Sequence, residues 1–289
     1  STGQLVGELG RRGQGPGEYG FLVDAQILPS GYVTWFDNTQ MRIASISLDG
    51  KPGPVKRLLP PPTMASINVV GEDLVILDVP ASATVGDTVD GVYRTVPASG
   101  APRVLARVRT PSLFQPGTDM RPATAPFTPR IVSSVGWSGD VAHSNGSQFV
   151  VEGIPSTGPR WRLEVALPVR AVTDAERDSV LAQLLTRYKV PTVAGLPARE
   201  RDRLDRSGRT VPPLQAIKVL RDGTVWIRPT VPLGEQATRW DIFSRDGRRI
   251  GCARLPHGAR VADGTRAWVV VVERGTDDVP MVARYEVGK

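Results

Sequence analysis

The chain contains the stretch Arg221-Asp222-Gly223-Thr224-Val225-Trp226, a glycine turn followed by a short strand that carries a tryptophan. The stretches Ser30-Gly31-Tyr32-Val33-Thr34-Trp35 and Asp263-Gly264-Thr265-Arg266-Ala267-Trp268 repeat this pattern. Degenerate copies are 71–77 and 137–141. Glycine accepts the positive φ that a tight hairpin turn needs, so each copy predicts two antiparallel strands joined at the glycine.

A second glycine turn belongs to each repeating unit. These turns stand at Gly3, Gly50, Gly100, Gly158 and Gly247. Two hairpins in succession make a four-stranded unit, and units that recur at this spacing are typical of propeller blades. The sequence therefore predicts five blades, and a degenerate sixth is possible in the middle of the chain.

The two ends of the chain each look like part of one blade. Residues 2–9 resemble a fourth strand without its unit, and residues 282–289 resemble a third strand that lacks a fourth. We therefore expect the N-terminal strand to complete the last blade, because closing the ring in this way removes exposed sheet edges. The prediction is an all-β fold, a β-propeller that forms a single domain over residues 1–289.

An insertion interrupts the repeat at residues 171–210. Thr173 and Glu176 form a capping box, which predicts the start of a helix. Val180, Leu184 and Tyr188 then recur at helical spacing and form an apolar stripe. This stripe can pack against its own propeller, or it can dock on another subunit or at a membrane interface.

Two segments resemble a known family, the NHL-like six-bladed β-propellers of exported bacterial proteins. Residues 35–51 are similar to the family's Asp-x-x-Asn-x-Arg-Ile strand with its following Asp-Gly turn, and residues 10–19 resemble its Gly-Pro-Gly-Glu-Phe link between blades. The similarity covers residues 1–58 and 212–289. The resemblance implies a propeller, export and a binding role, and it supplies no catalytic residues.

Few side chains are suited to catalysis or to metal binding. The chain has one cysteine and two histidines, which excludes internal disulfides, cysteine-rich zinc sites and iron–sulfur ligation. Cys252 lies in a strand pattern and is expected to be a small core residue. The Gly-x-Gly-x-x-Gly pattern at 15–20 precedes a strand rather than a helix, so it predicts a turn between blades and not a dinucleotide site. No cofactor is expected.

The basic charge is concentrated in one part of the chain. Residues 171–289 carry 21 basic and 15 acidic side chains, whereas residues 1–170 carry 15 and 14. Arginine presents a planar fork of donors that suits carboxylates, so an arginine cluster here predicts contact with an acidic protein face, unless local aspartates pair with it. Aromatic content of 6% argues against nucleic acid as the partner. The cluster comprises Arg245, Arg248, Arg249, Arg254 and Arg260.

These observations predict a non-catalytic, periplasmic scaffold that binds a protein partner, as a membrane-extrinsic structural subunit of a larger membrane complex. The chain is accordingly not expected to be an enzyme. One rival is a metal-dependent propeller hydrolase or lyase, and another is a propeller that binds a small ligand in an aromatic-lined pocket. The oxygen donors available to the metal-dependent rival are Asp24, Asp37, Asn38, Asn68 and Asp78.

Overall fold

In the residues that it describes, the computed structural model has five antiparallel sheets, which are the five blades of an all-β propeller. The fold class predicted from the glycine turns is therefore confirmed, with five blades and a helical insertion. The chain divides into two compact units, residues 1–80 with 90–108 and residues 81–89 with 109–289. The residues described are 8–28, 30–57, 64–80, 88–97, 100–111, 125–167, 169–230, 237–256, 258–274 and 279–288.

The first unit begins with a short parallel pair and holds the first two blades. The pair consists of β1 (Arg11–Arg12) and β2 (Glu18–Tyr19). Blade 1 consists of β3 (Leu22–Ile27), β4 (Tyr32–Asp37), β5 (Arg42–Ser47) and β6 (Pro52–Arg57). Blade 2 consists of β7 (Met64–Val70), β8 (Asp73–Asp78), β9 (Thr88–Val96) and β10 (Arg103–Pro111). Phe36, Leu74 and Ile76 form a core between these blades.

The glycine-rich link at residues 10–20 is a turn fastened to blade 1. The Arg42 guanidinium donates to the carbonyl oxygens of Gly15 at 3.1 Å and Glu18 at 2.7 Å. The Glu18 carboxylate accepts from Gly15 N at 2.8 Å. A strand follows the link, as the sequence predicted, so its glycines serve a turn between strands.

The second unit holds three blades. Blade 3 consists of β11 (Val132–Val135), β12 (Val141–Ser144), β13 (Val150–Ile154) and β14 (Trp161–Glu164). Blade 4 consists of β15 (Leu214–Val219), β16 (Val225–Pro229), β17 (Ala237–Phe243) and β18 (Arg249–Pro256). Blade 5 shows β19 (Arg260–Gly264), β20 (Trp268–Arg274) and β21 (Pro280–Glu286). The predicted closing strand at 2–9 lies almost entirely outside the described residues.

Apolar cores join the blades of the second unit. Phe149, Ile227 and Phe243 belong to the core between blades 3 and 4, whereas Trp226 and Trp240 belong to the core between blades 4 and 5. Burying a large apolar side chain stabilises a fold by about 1.5–3 kcal/mol, so these cores hold neighbouring blades together. Trp226 therefore packs between neighbouring blades.

The first strands of blades 3, 4 and 5 run side by side in the same direction. The Val219 amide at the end of β15 donates to Ser134 Oγ near the end of β11 at 3.0 Å. The Arg221 amide, just beyond β15, donates to the Gly264 carbonyl at the end of β19 at 3.0 Å. β11 and β15 also begin together, because Arg130, just before β11, donates from Nη2 to the Gln215 carbonyl near the start of β15 at 3.3 Å.

The predicted insertion is helical. It contains α1 (Asp174–Tyr188), a single 3₁₀ turn at Val193–Gly195 and α2 (Ala198–Asp205). No helix in the described ranges is both long enough and apolar enough to cross a membrane.

Candidate functional site

The insertion leaves the propeller through a short two-stranded neck. Ala171 and Thr210 form an antiparallel bridge. The Val172 amide donates to the Arg209 carbonyl at 3.0 Å, and the Val211 amide donates to the Arg170 carbonyl at 2.9 Å. These bonds fix both ends of the insertion to each other, so the helices between them project from one point of the second unit.

Glu176 secures the start of α1 to this neck. Its carboxylate accepts from both terminal nitrogens of Arg170, at 2.7 and 2.8 Å, and from the Thr173 amide at 3.0 Å. Arg170 and then the Thr173 donors outweigh the effect of burial, and the pKa of Glu176 falls to about 2. The capping box read from the sequence is therefore present, and an arginine outside the helix strengthens it.

The apolar stripe of α1 is only partly covered. Val180 and Leu184 are half-buried, and Tyr188 is exposed. The Tyr188 hydroxyl donates to Glu200 Oε1 at 3.1 Å, which ties α1 to α2. The short, charged α2 cannot cover the whole stripe, because Leu204 is its only large apolar side chain.

An open cavity of about 560 Å³ lies at the root of the neck. One wall is an extended segment with three aliphatic side chains, Val165, Leu167 and Val169, which we call the apolar strip. These side chains are 37%, 46% and 82% exposed. The charged lining residues Glu164 and Arg170 already have partners in Arg162 and Glu176. The rest of the lining combines apolar side chains with the polar residues Ser147, Gln148, Thr210 and Thr230.

Arg245, the first member of the predicted arginine cluster, joins two blades. It extends from the turn between β17 and β18 to Asp140 in blade 3, with Nε 2.7 Å from Oδ2 and Nη2 2.8 Å from Oδ1. Burial raises the pKa of Asp140, but the Arg245 and Ser156 donors more than offset this, and the pKa lies below its ordinary value. This side chain therefore has a structural contact.

The other members of the cluster differ from one another. Arg249 donates to Asp241 Oδ1 at 2.9 Å, an acceptor it shares with Arg239. Arg248, Arg254 and Arg260 are exposed. Arg254 lies on β18, the outer strand of blade 4, where arginines also protect a sheet edge from pairing. The cluster is thus spread over a turn, an outer strand and an inner strand.

Cys252 does not lie in the core. It is exposed on β18, opposite Asp241 of β17. The expectation of a core cysteine was wrong because β18 is an outer strand, and alternation along an outer strand does not guarantee that either face is buried.

Two arginines that the sequence analysis did not select lie at the beginning of the inner strands. Arg130 precedes β11 and donates from Nη2 to the Gln215 carbonyl at 3.3 Å. Arg228 on β16 is half-buried, with its guanidinium carbon 5.7 Å from the Trp240 ring centroid. Burial and the nearby charge of Arg130 lower the pKa of Arg228. No local motif marks either residue, because their proximity depends on the packing of blades.

The carboxylates considered for a metal site have other partners. Asp24 Oδ2 accepts from the Val69 amide at 2.7 Å. Asp78 lies 3.5 Å from Arg94. Burial raises the pKa of Asp37, but four backbone amides, beginning with that of Gly20, lower it further than burial raises it. In the parts of the chain that the structure describes, no group of three or more His, Cys, Asp and Glu side chains could hold a metal ion.

His143 is the one described histidine, and it is buried on β12. Burial lowers its pKa to about 4. The imidazole is therefore neutral at physiological pH. Its position inside blade 3 is that of a structural side chain.

Comparison with known proteins identifies no family. No family model matches the chain, and no curated protein matches it. A member of the DUF4221 family from Bacteroides vulgatus is 8% identical, with a TM-score of 0.49 over 95% of this chain and 81% of its own. A putative exported protein from Bacteroides fragilis is 11% identical, with a TM-score of 0.46 over 93% and 70%. The resemblance to NHL-like six-bladed propellers stays a prediction.

The prediction that the chain is not an enzyme is corrected by a third comparison. A virginiamycin B lyase from Staphylococcus aureus is 10% identical, with a TM-score of 0.35 over 92% of this chain and 84% of its own. A lyase is thus among the solved propellers to which the chain is similar, so the fold does not argue against catalysis.

Proposed function

We propose that this chain is an exported β-propeller that binds a protein partner through the apolar strip and the uncovered stripe of α1. The observation that carries the proposal is the exposure of Val165, Leu167 and Val169 beside an open cavity. Exposed aliphatic side chains gathered along one groove are typical of surfaces that bind another protein. Burying the strip would stabilise a complex by a few kcal/mol, at about 25 cal/mol per Å² of apolar surface.

The position of the apolar strip in the fold supports the proposal. The strip lies beside the neck of the insertion, so one partner could contact both the strip and Val180, Leu184 and Tyr188 on α1. The neck is fixed by the Arg170–Glu176 pair and the Ala171–Thr210 bridge. A fixed neck lowers the conformational entropy that binding would cost, because the helices need not be ordered on contact.

The partner that we propose is a subunit of a membrane complex outside the cytoplasm, with this chain as its extrinsic component. The basic excess of residues 171–289 favours a partner with an acidic face. Arg248, Arg254 and Arg260 are the exposed members of the arginine cluster available for that contact. Their contribution would be mainly to the rate of association, and it would weaken with salt.

Aspartate substitutions test the proposed surface. Leu167→Asp and Val169→Asp place a charge in the apolar strip, whereas Val104→Asp on β10 changes a similarly exposed valine in the first unit and serves as the control. Each protein carries an affinity tag and is purified from native membranes. We expect wild type and Val104→Asp to bring down the same stoichiometric partner, and Leu167→Asp and Val169→Asp to lose it. Equal recovery by all four proteins would refute the proposal.

A further inference from the structure

The outer strand of blade 3 has an unpaired edge with a definite hydrogen-bonding pattern. In the described chain, β14 is paired with β13 alone. Just beyond β14, the Val165 amide donates to the Phe149 carbonyl at 3.0 Å, in the register of the two strands. In an antiparallel ladder, residues that bond to the neighbouring strand alternate with residues whose N–H and C=O groups point the other way. The backbone groups of Arg162 and Glu164 therefore point away from β13, toward the open edge.

This edge of β14 is open to solvent. No backbone hydrogen bond among the described residues uses the amide or carbonyl group of Arg162 or Glu164. The side chains of Arg162 and Glu164 are 55% and 63% exposed, and their charges are weakly paired with each other at 3.3 Å. Unpaired N–H and C=O groups along an exposed strand form a template on which a further strand can add.

The side chains of β14 are complementary to a second copy of the same strand. When two copies run antiparallel about a two-fold axis at Leu163, Arg162 of each copy lies opposite Glu164 of the other. Both of these cross-strand pairs join opposite charges, and they fall at the residues whose backbone groups face the open edge. Side chains alternate between the two faces of a strand, so on the other face Val165 lies opposite Trp161 and apolar side chains meet.

The outer strands of the other blades fit a second copy less well. β6 contains Pro52 and Pro54, which cannot donate to a ladder. The charged side chains of β10 and of β18 are all arginines, so a second copy of either strand would bring like charges together. β21 repeats the pattern with Arg284 and Glu286, but the sequence predicts that residues 2–9 cover that edge.

We propose that β14 is a self-association edge, on which a second copy of this chain adds its own β14 to form a two-fold dimer. Each pairing of Arg162 with Glu164 of the other copy combines an ion pair between side chains with N–H···O bonds between the backbones. The paired residues end at Val165, so Leu167 and Val169 of the apolar strip lie beyond them. This association does not depend on the partner proposed above.

Charge reversal tests this contact in the purified chain, with the dissociation constant of the dimer measured by sedimentation equilibrium. A dimer of Arg162→Glu would place glutamates opposite each other, and a dimer of Glu164→Arg would place arginines opposite each other. We expect wild type to dimerise, and each single variant to dissociate with a constant that is about tenfold higher or more. Both side chains are exposed, so both variants should fold as wild type does.

Two rescue experiments separate this contact from a general effect of net charge. The double variant Arg162→Glu/Glu164→Arg has the net charge of wild type and restores both pairs of opposite charges, so it should dimerise. An equimolar mixture of the two single variants should form a mixed dimer, because each glutamate of one variant then lies opposite an arginine of the other. Arg284→Glu on β21 is the matched control, because it reverses one charge in a similar pattern and should dimerise as wild type does.

Three outcomes would overturn the inference. The first is a wild-type chain that stays monomeric at every concentration. The second is a set of variants that ignores complementarity, with single variants that dimerise as wild type does or a double variant that is not rescued. The third is a dimer that Arg284→Glu abolishes and Arg162→Glu leaves intact, which would assign the contact to β21. None of these outcomes bears on the proposed protein partner, since its test uses Leu167 and Val169.

Discussion

The contact of Arg245 with Asp140 is expected to stabilise the junction between blades 3 and 4. Asp140 is buried, and its Oδ1 also accepts from the Ser156 amide at 2.6 Å and the Ser156 hydroxyl at 2.8 Å. Arg245→Met removes the charged partner and leaves the carboxylate with the neutral Ser156 and Ser138 donors. An exposed ion pair contributes about 0.2–1 kcal/mol, and breaking a buried one costs about 3–5 kcal/mol.

This pair lies between those limits, because its carboxylate is buried and its guanidinium is 44% exposed. We therefore expect Arg245→Met to lower the free energy of unfolding by about 1–3 kcal/mol. The corresponding fall in Tm is about 2–4 °C per kcal/mol for a chain of this size class. Arg248→Met, three residues away in the same turn, removes an equal charge without breaking the pair and is the matched control.

A double-mutant cycle with Asp140→Asn isolates the pair itself. Urea unfolding of wild type, both single variants and the double variant should give a coupling free energy of about 1–2 kcal/mol. The folded pKa of Asp140 lies below its ordinary value, so its contribution is present above the unfolded pKa and is lost as pH falls through the folded pKa. The coupling should therefore diminish below pH 4. A coupling under about 0.3 kcal/mol at pH 7 would refute the reasoning.

Three further predictions concern single positions. Wild type should lose stability as pH falls from 6.5 to 4, because the unfolded histidine binds a proton at a higher pH than the buried His143 does. In His143→Gln the free energy of unfolding in urea should fall less over this range, and an equal fall in both proteins would contradict this. Glu176→Gln should make the amide hydrogens of α1 exchange faster than in wild type, and wild type should lose its slower exchange as pH falls from 4.5 to about 2. Equal exchange rates in the two proteins at neutral pH would contradict this. Gly153→Ala places a methyl against the Trp161 ring and should lower the free energy of unfolding by about 1–3 kcal/mol, whereas the methyl of Gly251→Ala meets no atoms. Equal Tm values for these two variants would refute the prediction.

Local turn chemistry is what made the propeller predictable. Gly31, Gly50, Gly223 and Gly247 all have φ near +80°, the conformation for which glycine is favoured. A hairpin depends on neighbouring residues, so its turn can be read from a short stretch. The capping box of Thr173 and Glu176 was predictable for the same reason.

The candidate sites depend on contacts between distant parts of the chain. Arg245 and Asp140 are 105 residues apart, and no local pattern indicates that a basic residue in one blade pairs with an acidic residue in another. For the same reason the sequence gives no sign that Arg130 lies near Arg228. The alternation of Val165, Leu167 and Val169 is visible in the sequence, but its exposure depends on the neck beside it.

Site-specific photo-crosslinking in cells that make the chain tests the central claim most directly. A photoreactive side chain at position 169 lies in the apolar strip, and one at position 104 lies on β10 of the first unit. The account predicts one discrete crosslinked partner from position 169, and none from position 104. Absence of a crosslinked protein at 169, or the same products from both positions, would contradict a protein-binding role for this surface.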